Sequence, residues 1–177
     1  KILKSMNRKH TYNDYIELIE KLTKKKPTIK FSSDFIIAYP GEDKEDFNQT
    51  VSLMKKIKFI NSYSFIFSPR PGTPAANLKK IDKDIAKERL ILFQRLADQI
   101  KNEYREKLLN KRVKVLFENK IKNEKKYFGR DEYFNSVVVE SDKNLIGKIK
   151  NIRINNFNQN TLFGELMEDN KKIYNAA

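Results

Sequence analysis

Arg70 stands between two prolines in a run that could bind an anion. The run covers residues 67–76 and reads FSPRPGTPAA. Proline fixes φ and removes a backbone donor, so such a loop is stiff and loses little entropy when it binds a ligand. A guanidinium held there can pair with a carboxylate or a phosphate through two parallel hydrogen bonds. An ordinary proline–glycine turn that carries a solvated arginine is the alternative, and the residues alone leave both open.

Asp34 is the second candidate, because it lies inside the apolar run 29–38. This run reads as a buried strand, in which an unpaired carboxylate would be expensive. The side chain is therefore expected either to form a salt bridge or hydrogen bond with a neighbouring loop, or to face inward against a cofactor or substrate.

A second strand, residues 60–68, leads into the Arg70 loop. Its side chains alternate between an aromatic set and a smaller, partly polar set. We predict that the aromatic set packs under helices and that the other lines a cavity. The aromatic set is Tyr63, Phe65 and Phe67, and the cavity set is Ser62, Ser64, Ile66 and Ser68.

Three helices are predicted around these strands. Thr11 and Asp14 form an acidic capping box for a helix over residues 12–25. Asp43 caps a second helix over 44–57, and a long uninterrupted helix covers 82–109. The predicted buried stripe of the second is Phe47, Val51, Met54 and Ile57; that of the third is Ile85, Leu92, Leu96 and Ile100, joined by Leu90, Phe93 and Tyr104.

Short alternating segments follow from Arg112 onward and predict a small closed or nearly closed barrel. Turn-like stretches rich in Asn, Lys and Gly separate them. The predicted strands are residues 113–117, 126–128, 136–140, 146–154 and 161–166.

The charge of the chain favours polyanionic partners. Its 37 Lys and Arg against 23 Asp and Glu give a formal net charge of +14. Compositional drift is the alternative, since the chain is generally rich in Lys, Asn and Ile. No apolar run approaches the ~20 residues of a membrane span, and residues 1–9 lack the apolar core of a secretory signal. The missing initiator methionine predicts that the chain begins inside a longer one.

The chain contains no cysteine. This excludes disulfides, cysteine-ligated zinc and an iron–sulfur cluster held by the chain's own thiolates. The single histidine, His10, is interpreted as a residue near a helix start, so no metal site is predicted.

Several motifs occur together in a fixed order. They are MNRKHT at 6–11, SDFIIAYPGE at 33–42, Ser-x-Arg-Pro-Gly-Thr-x-Ala from Ser68, and KERL at 87–90. In this order they resemble the radical-SAM methylthiotransferases that modify tRNA, and the tail resembles the RNA-binding TRAM domain. The resemblance implies an α/β plus all-β fold. Residues 1–80 would be the C-terminal third of a partial (βα) radical-SAM barrel, 81–110 a long connecting helix, and 111–174 a TRAM-like β-barrel.

The resemblance also implies an activity. The chain would be the C-terminal portion of an enzyme that adds a methylthio group to N6-isopentenyl-adenosine beside the anticodon. The implied cofactors are S-adenosylmethionine and two 4Fe-4S clusters, whose cysteines lie in an N-terminal portion that this chain lacks. The chain alone is therefore expected to be inactive. The implied partners are tRNA, that missing portion, and an electron donor such as flavodoxin or ferredoxin, in the cytoplasm and without a membrane.

The resemblance assigns roles to individual residues. Arg70 and Asp34 would be catalytic. The implied cofactor contacts are Arg8, Ile36, Ala38, Tyr39, Glu42 and Ser68; the implied RNA contacts are Tyr127, Arg130, Asn135, Lys148 and Lys150. Ala38 departs from the family's usual glycine, which allows a close backbone approach. For any single lysine, a solvated edge is the alternative.

Three other functions stay open. A sibling enzyme acts on threonylcarbamoyl-adenosine in tRNA, and another acts on a ribosomal protein. Arg70-Pro71 argues against the ribosomal-protein sibling, which typically carries acidic residues there. The third is a truncated, non-catalytic RNA-binding module. A Cys-x-x-x-Cys-x-x-Cys motif upstream would favour an enzyme, and its absence would favour the module.

Overall fold

The computed structural model describes residues 1–167 and divides them into two compact units, the first ending at residue 101 and the second beginning at residue 102. Each unit has a hydrophobic core of its own. The division falls within the long helix, whereas the sequence predicted boundaries at both ends of it. The helices are α1 (Ile2–Ser5), α2 (Tyr12–Lys25), α3 (Lys44–Ile57) and α4 (Lys83–Glu106), with a 3-10 turn at Pro74–Asn77. The strands are β1 (Ser32–Ile37), β2 (Asn61–Ile66), β3 (Arg112–Lys120), β4 (Lys126–Asp131), β5 (Ser136–Glu140), β6 (Ile149–Phe157) and β7 (Thr161–Leu166).

Capping boxes start both α2 and α3. The Thr11 amide donates to Asp14 Oδ2 at 2.7 Å, and the Asp14 amide donates to Thr11 Oγ1 at 3.2 Å. Asp43 and Asp46 repeat this exchange at α3. Each box satisfies amides that the first helical turn leaves without a partner. The predicted helix starts are confirmed.

Strands β1 and β2 form a parallel pair with α3 between them in the chain. Phe35 and Ile37 of β1 are buried in the core of this unit together with Met54, Phe59 and Phe93. The strand is shorter than the predicted run 29–38, since residues 29–31 precede the ladder. The parallel β–α–β order and the buried stripe of α3 agree with the sequence.

The predicted orientation of β2 is wrong. Register pairs Tyr63 with Asp34 and Phe65 with Ile36, so these four side chains share one face of the sheet. The core lies on the other face, because Phe35 and Ile37 point there. Tyr63 and Phe65 are consequently 63% and 57% exposed instead of lying under helices. We call the side of the sheet that carries Asp34, Ile36, Tyr63 and Phe65 the open face.

The buried stripe of α4 agrees with the prediction only in part, since Phe93 and Ile100 belong to both. Ala86, Phe93 and Ile100 are buried, one every seven residues, whereas the predicted Ile85 and Leu92 are exposed. A spacing of seven is close to two helical turns and keeps one line of side chains against the core. In the sequence, the line of side chains through Ile85 and Leu92 is as apolar as the neighbouring line through Ala86 and Phe93, so the two could not be told apart.

The second unit contains a closed barrel with the strand order β3-β4-β5-β7-β6. β5 and β7 run parallel, and the other neighbouring pairs are antiparallel. The predicted barrel is confirmed, although β6 begins at Ile149, three residues later than expected. The last part of the predicted domain, residues 168–174, lies outside the described residues. The side chains that fill the barrel are Val115, Phe117, Tyr127, Val137, Val139, Leu145, Ile152, Ile154 and Leu162.

Within residues 1–167, no helix combines the length and the apolar composition that a bilayer crossing requires. The same residues contain no cluster of His, Asp or Glu side chains suited to a metal ion.

Candidate functional site

The Arg70 loop begins as a continuation of the sheet. The amide of Phe67 donates to the carbonyl of Ile37 at 2.8 Å. A turn then follows at Pro71 and Gly72, closed by the Thr73 amide and hydroxyl, which donate to the Arg70 carbonyl at 3.2 and 2.8 Å. Gly72 has a φ of 79°, as the third residue of a type II turn requires. The loop therefore fixes the backbone on both sides of Arg70.

The Arg70 side chain is exposed. Within the described part of the chain, no carboxylate pairs with its guanidinium. The group is thus available to an external carboxylate or phosphate. A solvated arginine would show the same geometry, so the assignment of Arg70 as a catalytic group stays a prediction.

Asp34 lies on the open face and is exposed. Among residues 1–167 its carboxylate has neither an ion-pair nor a hydrogen-bond partner, which argues against the expected salt bridge. The expected cost of burial does not arise within residues 1–167, because the described part of the chain leaves the Asp34 side chain exposed. The carboxylate is free to meet a ligand on the same face as Ile36 and Phe65.

The turn after β1 is locked by a buried carboxylate. Ala38 has a φ of 58°, in the left-handed region, and its amide donates to Glu42 Oε2 at 3.1 Å. Arg89 Nη1 reaches Glu42 Oε1 at 2.7 Å and the Glu42 carbonyl at 3.0 Å. The Arg89 guanidinium also lies 5.5 Å from the centre of the Phe47 ring. Glu42, predicted to contact a cofactor, is occupied in holding this turn.

Burial raises the pKa of Glu42 above its ordinary value of 4.5, and Arg89 acts in the opposite direction. The charged carboxylate is costly in this surrounding, and its guanidinium partner compensates for part of the cost. The pair therefore stabilises the turn only while both members are present.

We expect Arg89→Met to destabilise the chain by about 3 kcal/mol at pH 7, because it leaves the Glu42 carboxylate buried without its partner. In this variant the folded pKa of Glu42 should rise further above 4.5. The stability linked to this carboxyl is then present at low pH and lost as pH rises through the folded pKa. Urea unfolding at pH 7 and pH 5 measures the effect.

Arg95→Met is the matched control, since Arg95 is an exposed arginine on the same helix. It should change stability little at either pH. An Arg89→Met deficit that is the same at pH 5 and pH 7 would contradict the assigned role of Glu42.

Of the remaining predicted cofactor contacts, one is buried and three are exposed. Tyr39 is buried; its hydroxyl donates to the Ser5 carbonyl at 3.1 Å, and its ring centre lies 5.0 Å from that of Phe67. Arg8, Ile36 and Ser68 are exposed. Tyr39 thus joins the loop after β1, the loop after β2 and the segment before α2. The structure brings these three predicted site segments together at one end of the sheet.

Two of the predicted RNA contacts are buried in the barrel unit. Tyr127 is 4% exposed and belongs to the barrel core, which argues against the predicted stacking role because the ring has no accessible face. Asn135 is buried and donates to Asp131 Oδ2 at 2.8 Å. Both side chains serve the barrel itself. Local sequence could not separate them from their exposed neighbours.

The basic candidates lie on the outside of the barrel. The Arg130 guanidinium is exposed, lies 5.6 Å from the centre of the Phe128 ring and contacts Glu118 at 3.3 Å. Lys148 is exposed and donates to the Asn144 carbonyl at 2.7 Å, and Lys150 is half-buried. Arg130 and Lys148 are therefore the predicted RNA contacts that a phosphate can reach most easily.

Residues 106–167 match the TRAM domain family. The match begins at the last residue of α4 and contains all five strands of the barrel.

The chain is 52% identical over 97% of its length to a tRNA-2-methylthio-N(6)-dimethylallyladenosine synthase of Pelagibacter ubique. It is 43% identical over 96% of its length to the synthase of the same name from Orientia tsutsugamushi strain Ikeda, and 42% identical over 93% to that of a Wolbachia pipientis strain from Culex pipiens. The chain is a partial match to this tRNA methylthiotransferase family. It spans about two fifths of the length of these relatives, 38 to 39%.

Arg70, Asp34 and the Ala38–Glu42 turn all lie within the region of similarity to the methylthiotransferases, as does the barrel. The same region contains Phe134, an exposed aromatic residue that the sequence did not single out as a candidate. The feature that could have drawn attention to it is the aromatic pair Tyr133-Phe134, which lies in a predicted turn between two strands.

Proposed function

We propose that the chain acts as the C-terminal portion of a tRNA methylthiotransferase that modifies N6-isopentenyl-adenosine beside the anticodon. The observation that carries the proposal is the 52% identity over 97% of the chain to a protein of that name. The match of residues 106–167 to the TRAM domain supports it independently.

The β1–α3–β2 unit would be the last part of a partial radical-SAM barrel. Three features support this: the strands are parallel, the helices cover one face, and the open face carries Asp34, Ile36, Tyr63 and Phe65. Further strands beside β1 or β2 would turn the open face toward the interior. Loops that follow the strands of such barrels form the site, and the Arg70 loop is one of them.

The residues present do not fit an iron–sulfur cluster, because the chain has no cysteine. The two clusters of the proposed enzyme would be held by another portion of it. S-adenosylmethionine fits better, since Arg8, Ile36 and Ser68 are exposed and Ile36 lies on the open face. When bound, it would supply the radical and the methyl group. Ala38, Tyr39 and Glu42 would keep the loop after β1 in place.

Arg70 would bind a negatively charged group at the mouth of the site, either the carboxylate of S-adenosylmethionine or a phosphate of the tRNA. Its fixed backbone and its exposed guanidinium support both. Asp34 would face the same space. A one-electron donor such as flavodoxin or ferredoxin and a cytoplasmic location follow from this reaction class.

The barrel would bind the tRNA. The net charge of +14 supports binding of a polyanion, and Arg130 and Lys148 lie exposed on the barrel. Each phosphate that these cations neutralise releases counterions, so the affinity should fall steeply with salt concentration.

The test joins this chain to the N-terminal portion of the Pelagibacter relative, which lies outside the region of similarity. The purified, anaerobically reconstituted enzyme is given tRNA that carries isopentenyl-adenosine or threonylcarbamoyl-adenosine, with S-adenosylmethionine and a reductant. Mass spectrometry of the nucleosides should show a methylthio product from the isopentenyl substrate. Product from the threonylcarbamoyl substrate alone would favour the sibling enzyme and contradict the proposal.

A non-catalytic RNA-binding module is the second candidate, and the match of residues 106–167 to the TRAM domain favours it. The same experiment separates the two functions. A joined enzyme that contains both clusters, binds tRNA and yields no methylthio product with either substrate would support the module.

A further inference from the structure

Phe134 is the most exposed large apolar side chain in the described part of the chain, at 72%. It lies in the turn that connects β4 to β5, residues 131–135. Its φ is 61°, in the left-handed region, where a residue with a Cβ is strained and Asn or Gly is preferred. The fold therefore carries a large apolar ring at a position that favours a small or polar residue and that leaves the ring in water.

The turn itself is held rigidly by Asp131, which is buried. Its Oδ1 accepts from the amides of Tyr133 and Asn135, each at 2.9 Å, and its Oδ2 accepts from Asn135 Nδ2 at 2.8 Å. The Phe134 amide donates to the Asp131 carbonyl at 3.1 Å, and the Asp131 amide donates to the Asn135 carbonyl at 3.1 Å. These bonds fix the backbone that carries Phe134, so little backbone entropy is lost when the ring meets a ligand.

The surroundings indicate which ligand the ring meets. Arg130 is exposed at the start of the turn and can contact a phosphate. Glu132 is exposed within the turn and disfavours a phosphate directly above it, whereas a neutral base is tolerated there. Aromatic rings on RNA-binding domains stack on unpaired bases, because the bases of a helix are already stacked on one another.

We propose that Phe134 stacks on an unpaired base of the RNA that the barrel binds. The inference rests on the proposed RNA-binding function of residues 106–167 and adds a residue and a ligand feature to it. Arg130 positions the backbone of the strand, and Phe134 selects single-stranded over duplex RNA.

The experiment uses the whole 177-residue chain and two fluorescein-labelled RNAs. One is a stem-loop with an unpaired, adenosine-containing loop, and the other is a blunt duplex with the same number of phosphates. Phe134→Ala should weaken stem-loop binding about tenfold and leave duplex binding unchanged. The slope of log K against log salt should not change, because no charge is lost, whereas Arg130→Ala should reduce it by about one.

Phe134→Asn separates binding from folding. Asn adopts the left-handed region more readily, so this variant should melt at or above the temperature of the parent chain while it loses the same affinity. Phe134→Tyr should bind nearly as well as the parent. Leu18→Ala, which removes an exposed apolar side chain from α2, is the control and should leave binding unchanged.

Equal stem-loop affinity in the parent chain and Phe134→Ala would overturn the inference and leave the proposed function intact. Equal losses on the stem-loop and the duplex would also overturn it, since the ring would then not depend on unpaired bases. A parent chain that binds neither RNA would overturn the RNA-binding proposal together with this inference.

Discussion

Arg70→Lys is expected to reduce the yield of methylthiolated tRNA nearly as much as Arg70→Ala, in a joined enzyme that contains this chain. Lysine keeps the charge but offers a single ammonium, whereas the guanidinium can donate two parallel hydrogen bonds to a carboxylate or phosphate. If Arg70 positions the cofactor or the tRNA through such an anion, each change should cost about 100-fold in turnover, because the reacting atoms are then misplaced.

The rigid loop is the reason to expect that lysine cannot compensate. The Thr73 amide and hydroxyl both donate to the Arg70 carbonyl, and Pro69 and Pro71 restrict the backbone on either side. Because this backbone is restricted, it cannot move to bring the lysine ammonium to the position that the guanidinium occupies. The direction of the side chain is therefore part of the expected effect.

Turnover, melting temperature and iron content are measured together for both variants. The last two should stay at the level of the parent, because Arg70 is exposed and has no partner within residues 1–167. Arg95→Lys and Arg95→Ala provide the control for an exposed arginine. Near-normal turnover in Arg70→Ala, or a loss that follows unfolding, would mean that the loop is only structural.

Features that depend on neighbours in the sequence were predictable. Thr11 and Asp14 lie three residues apart, so their capping box could be read directly, and the same holds for Asp43 and Asp46. The barrel strands were predictable because apolar residues alternate between turn-forming segments. The Pro71-Gly72 turn follows from two residues whose φ values are nearly fixed or unusually free.

Features that depend on register were not predictable. Alternation in β2 separates two sets of side chains, but only pairing with β1 determines which set faces the core. The aromatic set looked like the core set because such rings are usually buried, yet Tyr63 and Phe65 share the open face with Asp34. Large apolar side chains usually indicate the core side of a strand, but in β2 they lie on the exposed side.

The candidate site was predictable in part. The motifs place Arg70 and Tyr39 in loops that the structure brings to one end of the sheet. The role of Glu42 was not visible, since its partner Arg89 lies 47 residues away. Tyr127 and Phe134 show the same limit in the barrel: alternation does not reveal which aromatic ring fills the core and which lies in water.

Gly129→Ala is expected to unfold the barrel or to lower its free energy of unfolding by about 3 kcal/mol. A Cβ at Gly129 would lie 2.3 Å from the Leu116 carbonyl oxygen and 2.8 Å from Val115 Cγ1. The carbonyl belongs to the neighbouring strand β3, so the clash cannot be relieved by a change of rotamer. Only a separation of β3 and β4 makes room, and that separation breaks their ladder.

Gly147→Ala is the matched control, because it makes the same change in the same unit. A Cβ at Gly147 would meet nothing within 4 Å, but its φ of 73° disfavours alanine. This variant should lose only about 1 kcal/mol from backbone strain. The pair separates a steric requirement for glycine from a conformational one.

Hydrogen exchange of the β3 and β4 amides measures both variants, because it reports on the barrel without assuming that the two units of the chain unfold together. Gly129→Ala should lose protection across both strands and should no longer bind the RNA stem-loop, whereas Gly147→Ala should keep protection and binding. Similar protection in the two variants would mean that β3 and β4 can move apart at little cost. Close packing of the strands would then not be what fixes the turn at residues 131–135, and the fixed backbone at Phe134 would need another origin.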